Sequence, residues 1–232
     1  MNTPFEVEII TTTDGSHTLK LVGHDEQYHS INGALGESQH VFLHAGYNAL
    51  NPDSAPIHIL EVGLGTGLNA LVTAHKSLSN KTEVYYHAIE PFPLNNILLE
   101  QLNYSGFFKE KWLSGVFKEI HSAGEFYKNI REYFHFKLSE NKIQQISLKE
   151  NYYQLVYFDA FGPDTQADMW TQDVFVQLFK AMSAESILVT YCAKGAVKRA
   201  LRAAGFRVEN LPGPPGKREI TRAIKSYSGI WK

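Results

Sequence analysis

The feature that most constrains the fold is a short apolar run, residues 57–62, which is followed at once by closely spaced glycines. A run of this length is typical of a buried strand, and glycines directly after it predict a tight turn. The next stretch, residues 68–78, is typical of a helix. The glycines of the turn are Gly63, Gly65 and Gly67. Because glycine lets a ligand approach the backbone, and the first N–H groups of a helix attract electron-rich groups, this unit is predicted to bind a ligand.

Two carboxylates indicate the kind of ligand. Glu61 lies inside the strand and turn, and Glu90 follows a second apolar run, residues 84–89. A turn that receives a pyrophosphate needs no carboxylate, whereas Glu61 suits a cationic ligand such as the amino group and sulfonium of S-adenosylmethionine. Glu90 is placed where α/β folds accept hydrogen bonds from a ribose diol. The alternatives are a turn that needs glycine for sterics alone and a surface Glu at a strand end.

The remaining chain alternates predicted strands and helices. The predicted segments are a hairpin over 5–22 around Asp14–Gly15, a helix over 37–50 ended by 51–53, helices over 94–120, a strand over 133–138, a loop over 139–145, a strand over 153–158, a helix over 169–182, a strand over 186–192, a helix over 194–204, and a hairpin of 206–209 with 218–224. This order predicts a doubly wound, Rossmann-like α/β sheet with an N-terminal β-hairpin extension and a C-terminal antiparallel hairpin. We expect residues 1–50 to pack as an extension on a Rossmann-like domain, residues 51–232.

Composition indicates the compartment of the protein and the kinds of site it can contain. The 232 residues contain no apolar run near the roughly 20 residues that span a bilayer, and the N-terminus lacks the features of a signal peptide. Cys192 is the only cysteine, which excludes disulfides within the chain and fits a reducing cytoplasm. The ten histidines are scattered without a ligand spacing, so we expect no metal. A cytoplasmic protein without a membrane anchor is predicted.

Charge is distributed unevenly along the chain. Residues 190–232 carry ten Lys or Arg against two Glu, a net +8, so the remainder carries −10. Lys194, Lys198 and Arg202 recur at four-residue steps and therefore share one helix face. With Lys217 and Arg218 of the hairpin turn, this face is a predicted contact surface for nucleic-acid phosphates. An ordinary solvated helix face is the alternative.

A third carboxylate, Asp159, comes directly after the strand predicted over 153–158. It lies at the edge where open α/β sheets bind ligands, although a turn-capping aspartate is the alternative. Two aromatic residues, Tyr28 and Trp170, are candidates for stacking on a base. Packing in the core is the alternative for Trp170.

Together these motifs resemble a known family. Residues 61–69, the pair 159–163 and 168–171, and residues 216–219 resemble the methyltransferases that complete 5-methylaminomethyl-2-thiouridine at the tRNA wobble position. Residues 28–30 and 37–43 are similar to the N-terminal motif of that family. The resemblance is to the methyltransferase half of the bifunctional MnmC enzymes without its oxidase half, as in stand-alone MnmD-type proteins.

The resemblance implies a Rossmann-like fold, S-adenosylmethionine as methyl donor and S-adenosylhomocysteine as product. The implied acceptor is the primary amine of 5-aminomethyl-2-thiouridine in tRNA, with Asp159 as the catalytic residue beside the amine. The implied cofactor-binding residues are Glu61, Gly63, Gly65, Gly67, Glu90 and Asp159. The residues assigned to the substrate are Tyr28, Phe161, Trp170, Lys194, Lys198, Arg202, Lys217 and Arg218. A separate enzyme is expected to supply the aminomethyl substrate.

One departure from the family and two rival functions stay open. The aspartate that many such enzymes use for the adenine amino group is absent from the loop over 139–145, where Glu140 or Asn141 are candidates. The nearest rival is a small-molecule amine methyltransferase or a polyamine aminopropyltransferase, neither of which requires the basic C-terminal region. A non-catalytic tRNA-binding protein is the second rival, and the intact acidic positions argue against it.

Overall fold

The computed structural model describes residues 6–50 and 56–226. Near the N-terminus, β1 (Val7–Thr11) and β2 (His17–Leu21) form a two-stranded antiparallel sheet. The connecting turn contains Asp14, whose carboxylate accepts hydrogen bonds from Thr12 Oγ1 and from the Ser16 backbone N–H. These bonds close the turn, and the predicted N-terminal hairpin is confirmed.

The main body is one eight-stranded sheet. Its strands in chain order are β3 (Ile57–Val62), β4 (Val84–Ile89), β5 (Lys128–Arg131), β6 (Phe134–Ser139), β7 (Tyr153–Phe158), β8 (Met182–Thr190), β9 (Arg207–Pro212) and β10 (Glu219–Lys225). The spatial order is β5-β6-β4-β3-β7-β8-β10-β9, in which the five strands from β6 to β8 are parallel. The edge strands are antiparallel, so the predicted C-terminal hairpin and Rossmann-like class are confirmed, while β5 went unpredicted.

Helices connect these strands. The α-helices are α1 (Ala34–Glu37), α2 (Leu68–Asn80), α3 (Asn96–Leu99), α4 (Leu113–His121), α5 (Gln172–Ala181) and α6 (Gly195–Ala203). Short 3₁₀ turns occupy Tyr47–Ala49, Tyr104–Phe107, Ile143–Gln145 and Ala167–Trp170. The predicted helices over 94–120 are present as α3, the 3₁₀ turn Tyr104–Phe107 and α4, and Asn103 and Gly106, both poor helix formers, fall between α3 and α4.

The predicted helix over 37–50 needs correction. After the single turn of α1, Ser38–His44 forms a π-helix, in which hydrogen bonds span five residues rather than four. The predicted helix end at 51–53 lies outside the described residues. The division of the chain between residues 50 and 51 stays a prediction. The N-terminal extension packs on the sheet, since the centre of the Phe42 ring lies 5.1 Å from the centre of the Tyr157 ring in β7.

The two faces of the sheet are covered by different elements. One core contains apolar residues of α2, α4 and the N-terminal extension, and the other contains those of α5 and α6. Chain order runs outward from β3 through β4 to β6, then returns to β7 and runs the other way to β8. The crevice at such a reversal is the usual ligand site of α/β sheets. Register pairs Val62 with Phe158, so Gly63 and Asp159 meet at its mouth.

Candidate active site

The glycine turn after β3 is built for close approach. Gly63 has a φ of 90°, and a Cβ there would lie 2.6 Å from the carbonyl oxygen of Asp159. Gly65 has a φ of 50°, and a Cβ there would lie 2.9 Å from the Tyr28 ring. Both positions combine left-handed backbone with a contact too short for a side chain, so only glycine fits. The turn can therefore run directly along a ligand.

A cavity of about 240 Å³ lies at the carboxyl ends of β3, β4 and β7. Four of the predicted cofactor-binding residues line it, namely Gly63, Gly65, Glu90 and Asp159. Its apolar wall includes Val62, Leu64, Ile89, Phe92, Ile143 and Met169. A mainly apolar pocket with a few placed carboxylates suits a nucleoside, whose base packs on apolar groups while its sugar hydroxyls donate hydrogen bonds.

Glu90 is held in place by the backbone around it. Its Oε2 accepts a hydrogen bond from the Gly65 N–H at 3.1 Å, and its Oε1 accepts one from the Phe92 N–H at 3.0 Å. Burial raises the pKa of Glu90, and these two N–H groups act in the opposite direction. The carboxylate is thus fixed on the cavity wall with lone pairs left for a diol.

Glu61 occupies a different place from the one predicted. Its side chain is 0% exposed and does not line the cavity, because alternation along β3 turns it toward α2. There its Oε1 accepts a hydrogen bond from Asn69 Nδ2 at 3.0 Å, and the buried carboxyl group also faces the Tyr86 hydroxyl, which acts to lower the pKa of Glu61. Burial holds the pKa of Glu61 well above its usual value. Gly67 is likewise absent from the cavity wall and packs beside His121.

Asn69 connects the buried carboxylates to the cavity. Its Nδ2 also donates to Asp159 Oδ2 at 2.8 Å, and its Oδ1 accepts from the Ser38 hydroxyl at 2.6 Å. The amide is therefore oriented by three partners, counting Glu61. No role was predicted for Asn69, although its position in the first turn of α2 could have suggested one.

Asp159 is half-buried at the cavity edge, and its pKa is raised to about 7. Burial is the largest cause, and the negative charge of Glu37 adds to it. The hydrogen bond from Asn69 and the positive charge of Lys217 act in the opposite direction. A carboxyl group that titrates near neutral pH is suited to exchange a proton with a substrate.

Lys217 belongs to this site rather than to an outer basic surface. Its Nζ donates to Glu37 Oε1 at 2.6 Å and lies 4.1 Å from the centre of the Tyr191 ring, which lines the cavity. The phosphate contact of Lys217 stays a prediction, and its ammonium is already paired with Glu37. Arg218, the next residue, is exposed.

The predicted basic face of α6 is also only partly available. Lys198 is 7% exposed, and its Nζ pairs with Glu219 Oε1 at 2.8 Å, because α6 packs here against the start of β10. It is not an exposed cation as predicted. Lys194 is exposed but paired with Asp164. Arg202 is exposed and forms no ion pair within the described part of the chain.

The three predicted aromatic contacts differ in position. Tyr28 and Phe161 both line the cavity, with ring centres 4.9 Å apart in an edge-to-face arrangement. Trp170 is 6% exposed and packs on Phe158, so its prediction as a stacking surface is wrong and the alternative of core packing holds. Its Nε1 donates to the Phe161 carbonyl oxygen at 2.7 Å, which positions the Phe161 loop.

The loop over 139–145 reaches the cavity through Lys142 and Ile143. Glu140 and Asn141, the candidates for the adenine contact, are exposed and do not line it. Asp168, from the 3₁₀ turn before α5, does line it. No helix in the described ranges is long and apolar enough to cross a membrane. Residues 6–50 and 56–226 contain no cluster of three His, Cys, Asp or Glu that could hold a metal ion.

A carboxylate fixed on a cavity wall and an aspartate with a raised pKa, both at the switch point of a doubly wound sheet, are typical of enzymes that bind a nucleoside cofactor. The chain belongs to the family of S-adenosyl-L-methionine-dependent methyltransferases, since the sequence model of that family matches residues 109–226, about half of the chain. The class of enzyme and S-adenosylmethionine as cofactor, both predicted from the sequence, are thereby confirmed.

Relatives by sequence carry a more specific name, tRNA 5-methylaminomethyl-2-thiouridine biosynthesis bifunctional protein MnmC. The one from Cupriavidus metallidurans is 29% identical over 228 residues, covering 90% of this chain and 32% of the relative. The one from Leptospira interrogans is 30% identical over 223 residues, covering 88% and 33%. The chain spans about a third of the length of these relatives. The matches confirm the family resemblance of the motifs.

Two solved structures show the same fold. MnmC2 from Aquifex aeolicus superimposes with a TM-score of 0.74 at 24% identity, covering 100% of this chain and 75% of the other. Spermidine synthase from Thermotoga maritima follows with a TM-score of 0.57 at 13% identity, covering 99% and 73%. At these identities the likeness concerns the fold alone.

Proposed function

We propose that this enzyme methylates the primary amine of 5-aminomethyl-2-thiouridine at the tRNA wobble position, giving 5-methylaminomethyl-2-thiouridine in the cytoplasm. The observation that carries the proposal is Asp159, a half-buried carboxyl with a pKa near 7 at the edge of the cofactor cavity. The name of the bifunctional relatives supports the choice of nucleoside. A separate enzyme supplies the aminomethyl substrate in this proposal.

The cavity fits the cofactor through its backbone and its carboxylate. Gly63 and Gly65 line the cavity with backbone that carries no side chain, and Glu90 offers lone pairs suited to a ribose diol. Ile89, Phe92 and Ile143 supply apolar surface for a base. S-adenosylmethionine supplies a methyl group on a positively charged sulfur, and its transfer to nitrogen leaves S-adenosylhomocysteine.

The task of the protein is then to present a neutral amine. If the pKa of the amine resembled that of lysine, about 10.4, its deprotonation at neutral pH would cost roughly 4–5 kcal/mol. Asp159 as carboxylate would bind the ammonium form and accept its proton, which then passes to water, so that the neutral nitrogen faces the methyl group with a free lone pair. The attraction has a cost, because a negative charge raises the pKa of the amine.

Tyr28 and Phe161 form the aromatic edge of the site on which we place the thiouridine base. The tRNA phosphates would contact exposed cations around the C-terminal hairpin. The ion pair of Lys198 with Glu219 joins α6 to the start of β10, and the exposed cations near this junction form the surface proposed for phosphate contact. We assign Arg202 and Arg218 to this surface, while Lys194 keeps its predicted role only if tRNA displaces Asp164.

The test uses the intact chain with radiolabelled S-adenosylmethionine and tRNA that lacks the final methyl group. Label in the wobble nucleoside is the expected result. Label in an added polyamine or small amine, or tight tRNA binding without any transfer, would instead support one of the rival functions. As a matched control, Asp159→Asn should bind S-adenosylhomocysteine normally in calorimetry yet lose turnover, and full turnover would contradict the role of the carboxylate.

A further inference from the structure

The motif that contains Glu37 and the motif that contains Lys217 are distant in sequence and meet beside Asp159. Glu37, at the end of α1, is 5% exposed, and its Oε2 accepts a hydrogen bond from the Ser30 N–H at 2.7 Å. Its Oε1 accepts from the Nζ of Lys217 at 2.6 Å, across 180 residues of sequence. The pair is therefore anchored by the backbone on the Glu37 side.

The Lys217 side is anchored as well. The ammonium lies 4.1 Å from the centre of the Tyr191 ring, a cation–π contact, and the Tyr191 hydroxyl donates to the Ala160 carbonyl oxygen at 2.9 Å. Tyr191 and Ala160 both line the cavity. The positive charge is thus fixed against the wall of the site, next to the residue that follows Asp159.

The charged surroundings of Asp159 come from several elements. Glu37 and Lys217 act on it with opposite sign, the first raising and the second lowering its pKa. Burial keeps Glu61 of β3 toward its neutral form, and it lowers the pKa of His29 to about 4, so the imidazole is neutral at pH 7. Burial also raises the pKa of the Tyr191 hydroxyl. The Glu37–Lys217 ion pair therefore supplies the opposing charges that act on this carboxyl.

We propose that the Glu37–Lys217 ion pair is a positioning device of the acceptor site, whose balance of charge sets the protonation of Asp159 and of the incoming amine. The proposal rests on the proposed function, because it assigns the pair to amine methylation. Lys217 opposes the excess of ammonium that two carboxylates would otherwise attract, and Glu37 prevents Lys217 from repelling the amine altogether. Neither residue needs to touch the reacting atoms.

The signs of the expected effects follow from electrostatics. Lys217→Met removes the positive charge and leaves Glu37 unpaired, so the pKa of Asp159 and that of the amine both rise. The acid side of the pH–rate profile then moves to higher pH. Glu37→Gln leaves Lys217 unopposed, so both pKa values fall and the profile moves to lower pH. A loss of structure cannot produce opposite shifts in two variants.

The experiment compares the wild type with Lys217→Met, Glu37→Gln, the double variant and the charge-conserving Lys217→Arg. We expect shifts of about one pH unit in opposite directions for the two single variants, which is up to about tenfold in rate on the acid side. The pH–rate profiles of the double variant and of Lys217→Arg should show little shift from that of the wild type. Binding of S-adenosylhomocysteine by calorimetry shows which variants are folded, and Lys217→Gln replaces Lys217→Met if that variant is not.

A second measurement tests the role of the ion pair independently of the proposed methylation of tRNA. The carboxyl carbon of Asp159, followed by ¹³C NMR with S-adenosylhomocysteine bound, should titrate higher in Lys217→Met and lower in Glu37→Gln. If the wild type fails to methylate the tRNA but these NMR shifts occur, the proposed function is wrong and the charge pair stands. Unchanged titrations and pH profiles in both variants, or shifts in the same direction, would contradict the proposed role of the Glu37–Lys217 pair.

Discussion

Asp159 should make the folded protein less stable as the pH rises, and Asp159→Asn should remove that loss. The folded pKa of about 7 exceeds the ordinary value of 3.8, so the folded state binds the proton more tightly than the unfolded chain between these values. Stability from this group is present below about pH 4 and is lost as pH rises toward 7. The loss is on the order of 4 kcal/mol at pH 8 and about 1.5 kcal/mol at pH 5.

The variant is nearly isosteric, and its amide oxygen can still accept the hydrogen bond from Asn69. Urea unfolding followed by tryptophan fluorescence at pH 5 and pH 8 gives the free energy of unfolding of both proteins. We expect the advantage of Asp159→Asn to grow by about 2–3 kcal/mol between these two pH values. The exposed Asp25→Asn serves as control and should show no such growth. A pH-independent difference for Asp159→Asn would refute the raised pKa and the part it plays in the site.

Three further predictions address neighbouring features. Asn69→Ala removes a hydrogen bond that lowers the pKa of Asp159, so the acid side of the pH–rate profile should move to higher pH, and an unchanged profile would contradict this. Gly63→Ala places a Cβ 2.6 Å from a carbonyl oxygen, so thermal unfolding should show a loss of about 2 kcal/mol or more, together with weaker S-adenosylhomocysteine binding in calorimetry. Arg202→Glu should weaken tRNA binding and reduce its salt dependence by about one counterion. Lys128→Glu on edge strand β5 is the control and should change neither quantity. Equal behaviour of the two variants would contradict the role of Arg202 as a phosphate contact.

Local sequence patterns were enough to predict the strands that carry the residues of the site. The apolar runs that became β3, β4 and β7 are short and bounded by glycine, proline or a carboxylate, and such signals act over a few residues. Glu90 and Asp159 could be placed at one sheet edge because parallel strands bring their carboxyl ends together. The π-helix over Ser38–His44 and the four-residue strand β5 lack a comparable local signal, and both went unpredicted.

Tertiary structure decided the burial and the pairing of the charged side chains around the site. By sequence, Lys198, Arg202 and Lys217 are equivalent cations, yet packing buries the first, exposes the second and draws the third to Glu37. Trp170 became a support for Phe161 for the same reason. A residue type and its helical phase can be read along the chain, but an ion pair or a shifted pKa depends on which distant groups folding brings within a few ångströms. The sequence alone therefore predicted the sheet edge at which a nucleoside cofactor would lie, and only the folded chain decided which groups surround Asp159 and raise its pKa.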